Sequence, residues 1–348
     1  MSSSHSVRSM LLDLAQYDNG RRLPQSDGAI GPQAQIWYPA GGARQESGSW
    51  PVLLYSPGWD GTQIDSKAAV AALVAHGFAV VTVIYPAQPK RPMDFSSDAA
   101  FQDSLRRAGE RVLARARDAI RVLDMLANAN ANANANANAN ASPNASGDIS
   151  GGVSGETRLR RLVRRMDCNK AAIFGYSFGG AVAAQTAWMD PRFKAAANID
   201  GWQFAEASEY GITQPYLLMS DATPLPTAAQ LHSTQPAVRN PAILTDMDHR
   251  RTVTNMSRHG GIYAVLAGTT HGSIAGGNRR WPWRLLTRAG LIAPPRAQQI
   301  LGTCLIEFFE QSLGLRADRP AGTWAARFAE LQVTIYPQPD AAALRAGG

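Results

Sequence analysis

The chain has 348 residues, 45% apolar and 18% charged, with 34 Lys plus Arg against 27 Asp plus Glu for a net charge of +7. That is ample material for a sizeable core and excludes a disordered or collagen-like protein, while the length suits one large α/β unit as well as two smaller ones. Only four of the cations are Lys, no run of five or more basic residues occurs, and no zinc-finger or RNP-like signature is present, so the charge does not point to nucleic acid.

Residues 1–29 read as a flexible polar leader whose only apolar patch, Met10-Leu11-Leu12, is broken by Asp13. Neither a signal-peptide core nor a stretch of 18 apolar residues is found. The expectation is a soluble chain, cytoplasmic by default, with export of a longer precursor left open. Cys168 and Cys304 are too few for a disulfide framework and lack metal-ligand spacing.

From residue 30 onward the pattern is that of one α/β domain. Residues 34–38 and 51–55 read as strands, 64–76 as a helix stopped by His76-Gly77, and the β-branched run 78–85 as a parallel strand covered on both faces. Phe101, Leu105, Ala108, Val112, Ala116, Ile120 and Leu123 recur at steps of three and four, which predicts a long helix with its arginines on the opposite face. An Ala-Asn alternation from Ala127 to Ala141, continued by Ser- and Gly-rich sequence to about 155, offers no bulky side chain to bury. It reads as a flexible surface insertion carrying at most a few residues of helix. Strands at 170–174, 193–199, 216–219 and 262–267 alternate with helical segments, and 298–313 is a closing amphipathic helix. This alternation implies a mostly parallel sheet flanked by helices, with chemistry gathered at the carboxyl ends of its strands.

Gly175-Tyr-Ser177-Phe-Gly179-Gly180 sits between the strand 170–174 and an Ala-rich helix. In that context a G-x-S-x-G pattern forms a nucleophile elbow, in which Gly175 and Gly179 leave room for the strained turn at Ser177. The alternative is a glycine-rich turn that merely packs helix on strand. An elbow serine needs two backbone donors for an oxyanion: the N–H of the following residue, Phe178, and one from a loop after an earlier strand. Ser56-Pro-Gly58-Trp59-Asp60-Gly61 offers the second at Trp59, whose indole also suits a substrate-pocket wall. The base must be a late histidine, and His271, in Gly268-Thr-Thr-His271-Gly-Ser just after the last confident strand, fits the order Ser, acid, His. Asp200 and Asp221 each follow a strand and compete to orient it; strand order does not choose between them. Serine chemistry of this kind implies no metal or organic cofactor.

Gly-Tyr-Ser-Phe-Gly-Gly, the Ser-Pro-Gly-Trp turn, Ala75-His-Gly-Phe-Ala-Val-Val and Thr-His-Gly-Ser together resemble the plasma-type platelet-activating factor acetylhydrolase group of α/β hydrolases. The resemblance covers about residues 30–315. More distantly, the Pro-Gly-aromatic turn is similar to that of cutinase-like polyester hydrolases. The first resemblance implies the α/β-hydrolase fold, an acyl-enzyme mechanism on short-chain or phospholipid-type esters, and Asp200 as the acid, because Asp200-Gly-Trp202 matches its Asp-x-Trp context. It also puts Trp202 near the substrate pocket. The second implies Asp221. A longer stretch between acid and histidine and the Ala-Asn insertion depart from the group. Rival readings are an acyltransferase or thioesterase with the same triad, or a non-catalytic binding protein of this fold.

Arg279-Arg-Trp281-Pro-Trp283-Arg284 places indoles beside guanidiniums. Such a segment suits weak contact with a membrane surface, or ordinary core cover with snorkelling arginines. The expected partner is a small-molecule or lipid ester; oligomeric state is not legible.

Overall fold

The computed structural model describes residues 6–13, 33–40, 49–61, 65–86, 91–139, 155–276, 291–316 and 320–339. Among these, the strands are β1 (Ser6–Asp13), β2 (Gln33–Ala40), β3 (Trp50–Ser56), β4 (Ala79–Ile84), β5 (Met166–Tyr176), β6 (Phe193–Ile199), β7 (Tyr216–Ser220), β8 (Gly261–Leu266) and β9 (Leu331–Tyr336). They form one nine-stranded sheet in the order β1-β2-β4-β3-β5-β6-β7-β8-β9. From β4 to β8 every pairing is parallel; β1, β2 and β9 add antiparallel edges.

The central strands are buried on both faces, as parallel strands joined by helical crossovers must be. Along β3, Val52 and Leu54 join a core layer on one face while Leu53 and Tyr55 join the layer on the other. The first layer is covered by α2 (Asp98–Ala139), α3 (Gly155–Val163) and α4 (Phe178–Met189), the second by α1 (Lys67–Ala75) and a closing helix (Pro294–Ser312). Three helices lie between β6 and β8: α5 (Ala205–Tyr210) before β7, then α6 (Ala228–Leu231) and the 24-residue α7 (Pro236–His259). A third, smaller apolar cluster forms where α2, α4 and α7 meet, built on Phe101, Val112, Phe178, Phe204 and Leu244. The fold is that of an α/β hydrolase, a mostly parallel sheet with helices on both faces.

Three expectations need correction. Within the leader, Ser6–Asp13 is not loose chain but the outermost strand, paired along its length with β2. An edge strand held by backbone hydrogen bonds on one side, with Leu11 54% exposed, has no need of the apolar alternation that marks a strand in sequence. The Ala-Asn segment is helical as far as Ala139, because alanine is the strongest helix former and an established helix propagates at little cost. Asn130 ties that extension down by donating through Nδ2 to Val163 O at 2.6 Å and Met166 O at 2.9 Å. Finally, the arginines of α2 do not all face water: Arg115 is only 3% exposed.

Candidate active site

β5 ends at Tyr176 and α4 begins at Phe178, which leaves Ser177 alone in the turn between them with φ 53° and ψ −123°. Ser177 N donates to Ile199 O at 2.8 Å, so the elbow is held by the neighbouring strand. The flanking glycines are a steric requirement. A Cβ on Gly175 would lie 2.1 Å from Gly179 O, and one on Gly179 would lie 1.9 Å from Ser56 O.

One strand along, Asp200 follows β6 with φ 56° and donates its N–H to Met219 O at 2.9 Å. Buried Asn198 closes this turn, donating from Nδ2 to Gly201 O at 2.8 Å and accepting Gly201 N–H at 2.9 Å. His271 opens the short helix α8 (His271–Ile274), five residues past the end of β8. With Nδ1 protonated, the imidazole donates to Asp200 Oδ2 at 2.7 Å, and Nε2 accepts from Ser177 Oγ at 3.0 Å. The ring stacks on Tyr176 with centroids 5.0 Å apart, and Tyr176 Oη donates to His271 O at 2.7 Å. Burial on its own would lower the His271 pKa; the Asp200 hydrogen bond and charge, helped by Asp221 and Asp65, outweigh it and hold the pKa above the ordinary 6.5.

The two aspartates sit in distinct environments. Asp200 offers Oδ2 to His271, while its Oδ1 accepts from Ser220 Oγ at 3.0 Å and from Asp221 N at 2.9 Å. Asp221 turns its own carboxylate to Thr223, accepting from N at 2.9 Å and from Oγ1 at 2.8 Å, as a turn carboxylate does. Asp221 therefore hydrogen-bonds to the constellation through its backbone N–H alone, while its charge acts on His271 from farther off.

Trp59 and Phe178 also come together, with ring centroids 4.7 Å apart in an edge-to-face arrangement. As the first residue of α4, Phe178 has an N–H with no acceptor inside the helix. Trp202 is 36% exposed and meets Phe95 at 6.3 Å, so the aromatic wall continues from Phe178 through Phe204 and the segment before α2. Trp281 and Trp283 lie outside the described residues. Among the described residues no group of three or more His, Cys, Asp and Glu could hold a metal ion, and no helix is long and apolar enough to cross a membrane.

Sequence reasoning passed over several residues around this site. Asp65 Oδ2 accepts the Gly58 N–H at 2.9 Å, and burial raises the Asp65 pKa despite that bond. Arg115 reaches the carbonyls of Pro57, Gly58 and Trp59, and Arg111 lies 5.0 Å above the Trp59 ring. In the sequence these arginines are two of many on α2. Their spacing of four puts both on one face, but Arg107 and Arg111, and Arg117 and Arg121, share that spacing, so the sequence does not single them out.

Among solved structures, a ferulic acid esterase from Streptomyces cinnamoneus shares the fold with a TM-score of 0.55, at 18% identity over 95% of this chain and 96% of that one. None of the curated proteins compared with the sequence matches it. A family model described as platelet-activating factor acetylhydrolase, isoform II, matches residues 93–326, a span that holds Ser177, Asp200 and His271, and the chain belongs to that family.

Proposed function

We propose that the protein is a serine esterase that cleaves carboxylic esters through an acyl-enzyme. The observation that carries this reading is the line of contacts from Ser177 Oγ to His271 Nε2 at 3.0 Å and from His271 Nδ1 to Asp200 Oδ2 at 2.7 Å. Membership in a family of carboxylic-ester hydrolases supports the reaction class.

In this mechanism Ser177 Oγ attacks the ester carbonyl as His271 Nε2 takes the hydroxyl proton. The carbonyl oxygen becomes an oxyanion held by the N–H groups of Trp59 and Phe178. Asp200 stabilises the imidazolium that forms. His271 then hands the proton to the leaving alkoxide, which departs as the alcohol and leaves Ser177 acylated. A water enters, gives its proton to His271, and releases the acid, returning the proton to Ser177. No cofactor takes part in any step.

Short-chain and phospholipid-type acyl esters are the substrates that the family membership favours. A second reading, aromatic esters, draws on the ring contacts Trp59–Phe178, Phe178–Phe204 and Phe95–Trp202, which begin at the residue after Ser177, and on the esterase named above. An ester panel graded by acyl length, head group and aromatic content separates the two. Fluorophosphonate labelling and the Ser177→Ala variant test the mechanism itself: Ser177→Ala should lose about 10³-fold or more in turnover. Parental turnover by a folded Ser177→Ala protein would overturn it.

A further inference from the structure

Arg115 takes no part in the reaction just described, yet it occupies a costly position. It is 3% exposed, has no carboxylate in direct contact among the described residues, with Asp118 and Asp60 acting on it only from farther off, and packs its guanidinium 4.6 Å from the Tyr85 ring centroid and 5.2 Å from that of Phe178. Burying a cation without a counter-ion is unfavourable unless its N–H groups are well used. Here they are spent on one short turn: Nη1 donates to Pro57 O at 3.3 Å and Gly58 O at 2.9 Å, and Nη2 to Trp59 O at 2.9 Å.

The geometry of the peptide unit gives these bonds a consequence. In a trans peptide the carbonyl of one residue and the N–H of the next point in opposite directions, and no peptide bond here is cis. Drawing Gly58 O toward α2 therefore turns the Trp59 N–H away from α2. The turn itself lies against the start of α4, since a Cβ on Gly179 would meet Ser56 O at 1.9 Å and Pro57 O at 2.7 Å. From the opposite flank Asp65 Oδ2 holds the Gly58 N–H at 2.9 Å, and Gly61 N adds a second donor to Gly58 O at 3.1 Å.

We propose that Arg115 is the positioning residue of the oxyanion site: by gripping three consecutive carbonyls it fixes the direction of the Trp59 N–H that meets the developing negative charge. This rests on the serine-esterase reading. A cation on the carbonyl side also polarises the peptide group and strengthens its N–H as a donor. Burial lowers the Arg115 pKa only to about 10, so the charge persists at neutral pH.

The test compares the parent with Arg115→Met, which keeps the stem and removes every donor, and with Arg115→Lys, which keeps the charge but not the fork. For each, kcat and KM are measured on p-nitrophenyl butyrate, together with inhibition by a trifluoromethyl ketone, whose adduct carries the oxyanion. Arg115→Met should lose about 10²-fold in kcat with KM little changed, and should lose ketone affinity by a matching factor. Arg115→Lys should fall between the two. Guanidinium ion at low concentration should restore part of the kcat of Arg115→Gly, with sodium chloride as the inert control. A parental kcat, a defect in KM alone, or a kcat loss without weakened ketone binding would overturn the proposal. If Arg115→Met fails to fold, the Lys variant decides by the same criteria. Failure of the underlying reading looks different: the parent itself would neither turn over esters nor be labelled at Ser177.

Discussion

In an Asp200→Asn variant the amide cannot place its oxygen against His271. Oδ1 of Asp200 accepts from Ser220 Oγ and from Asp221 N, at 3.0 and 2.9 Å, and an amide at this position keeps its oxygen where those donors are. Its NH2 group then faces His271 Nδ1. Two donors cannot share that contact, so the imidazole adopts the tautomer with its proton on Nε2, where it cannot accept the proton of Ser177. Flipping the amide to recover the right tautomer sets NH2 against the Asp221 N–H and gives up two hydrogen bonds at about 1–3 kcal/mol each. That sum, about 2–6 kcal/mol, corresponds to a kcat loss of about 30-fold to 10⁴-fold. The assay is p-nitrophenyl butyrate hydrolysis as a function of pH, with Ser177→Ala as background. Because the proposed mechanism needs neutral His271 and Asp200 raises its pKa, parental activity should fall as pH drops through a value above 6.5; in Asp200→Asn the residual activity should fall at lower pH. Asp221→Asn leaves the backbone N–H in place and should stay within about 3-fold of the parent. A loss below about tenfold for Asp200→Asn, or an equal loss for Asp221→Asn, would refute the reasoning.

Three further outcomes follow from the packing. Gly179→Ala drives a methyl to within 1.9 Å of Ser56 O, a backbone atom of β3, and should cost about 3 kcal/mol in urea unfolding; a loss below about 1 kcal/mol would show that β3 yields easily. Asn198→Ala removes both hydrogen bonds that close the Asp200 turn from a fully buried site, so stability should fall by about 2–4 kcal/mol and kcat should fall with it, whereas intact kcat would show that the turn holds without them. Asp248, whose Oδ1 accepts Gln203 N–H at 2.8 Å, has its pKa raised by burial from 3.8 to about 7. The folded protein therefore holds this proton more tightly than the unfolded chain, and stability is lost as pH rises through that window. Asp248→Asn keeps an oxygen for Gln203 and should flatten the decline, gaining about 2–4 kcal/mol at pH 8; equal slopes in parent and variant would count against it.

The parts of the fold legible in the sequence are those with a strong period or a steric demand. The β-branched run of β4, the 3.6-residue spacing of α2 and the glycines around Ser177 each carry their own signal. His271 was legible by its position after β8. The choice of acid was open to strand counting and rested on resemblance; the two hydrogen bonds that fix Oδ1 of Asp200, from Ser220 and Asp221, come from the next strand and leave no local trace in sequence. β9 and β1 are edge strands with half-exposed side chains. α7 mixes polar and apolar residues through its first turns and contains Pro241, which argues against a helix when read locally. Arg115 is the sharpest omission, because a charged residue on an amphipathic helix reads as solvated. The tertiary approach of three carbonyls, with the charges of Asp118 and Asp60 acting from farther off, makes its burial tolerable.

Ser177 and Asp200 both occupy backbone angles with positive φ, at 53° and 56°, which glycine adopts freely and a serine holds only under strain of about 1–3 kcal/mol. Under the proposed mechanism, a library of variants ranked by melting temperature alone would thus reward glycine at position 177 and enrich for a sturdier, inert protein. If Ser177 is the nucleophile proposed above, directed evolution on this scaffold has to select on turnover in every round, since heat resistance and chemistry then pull residue 177 in opposite directions.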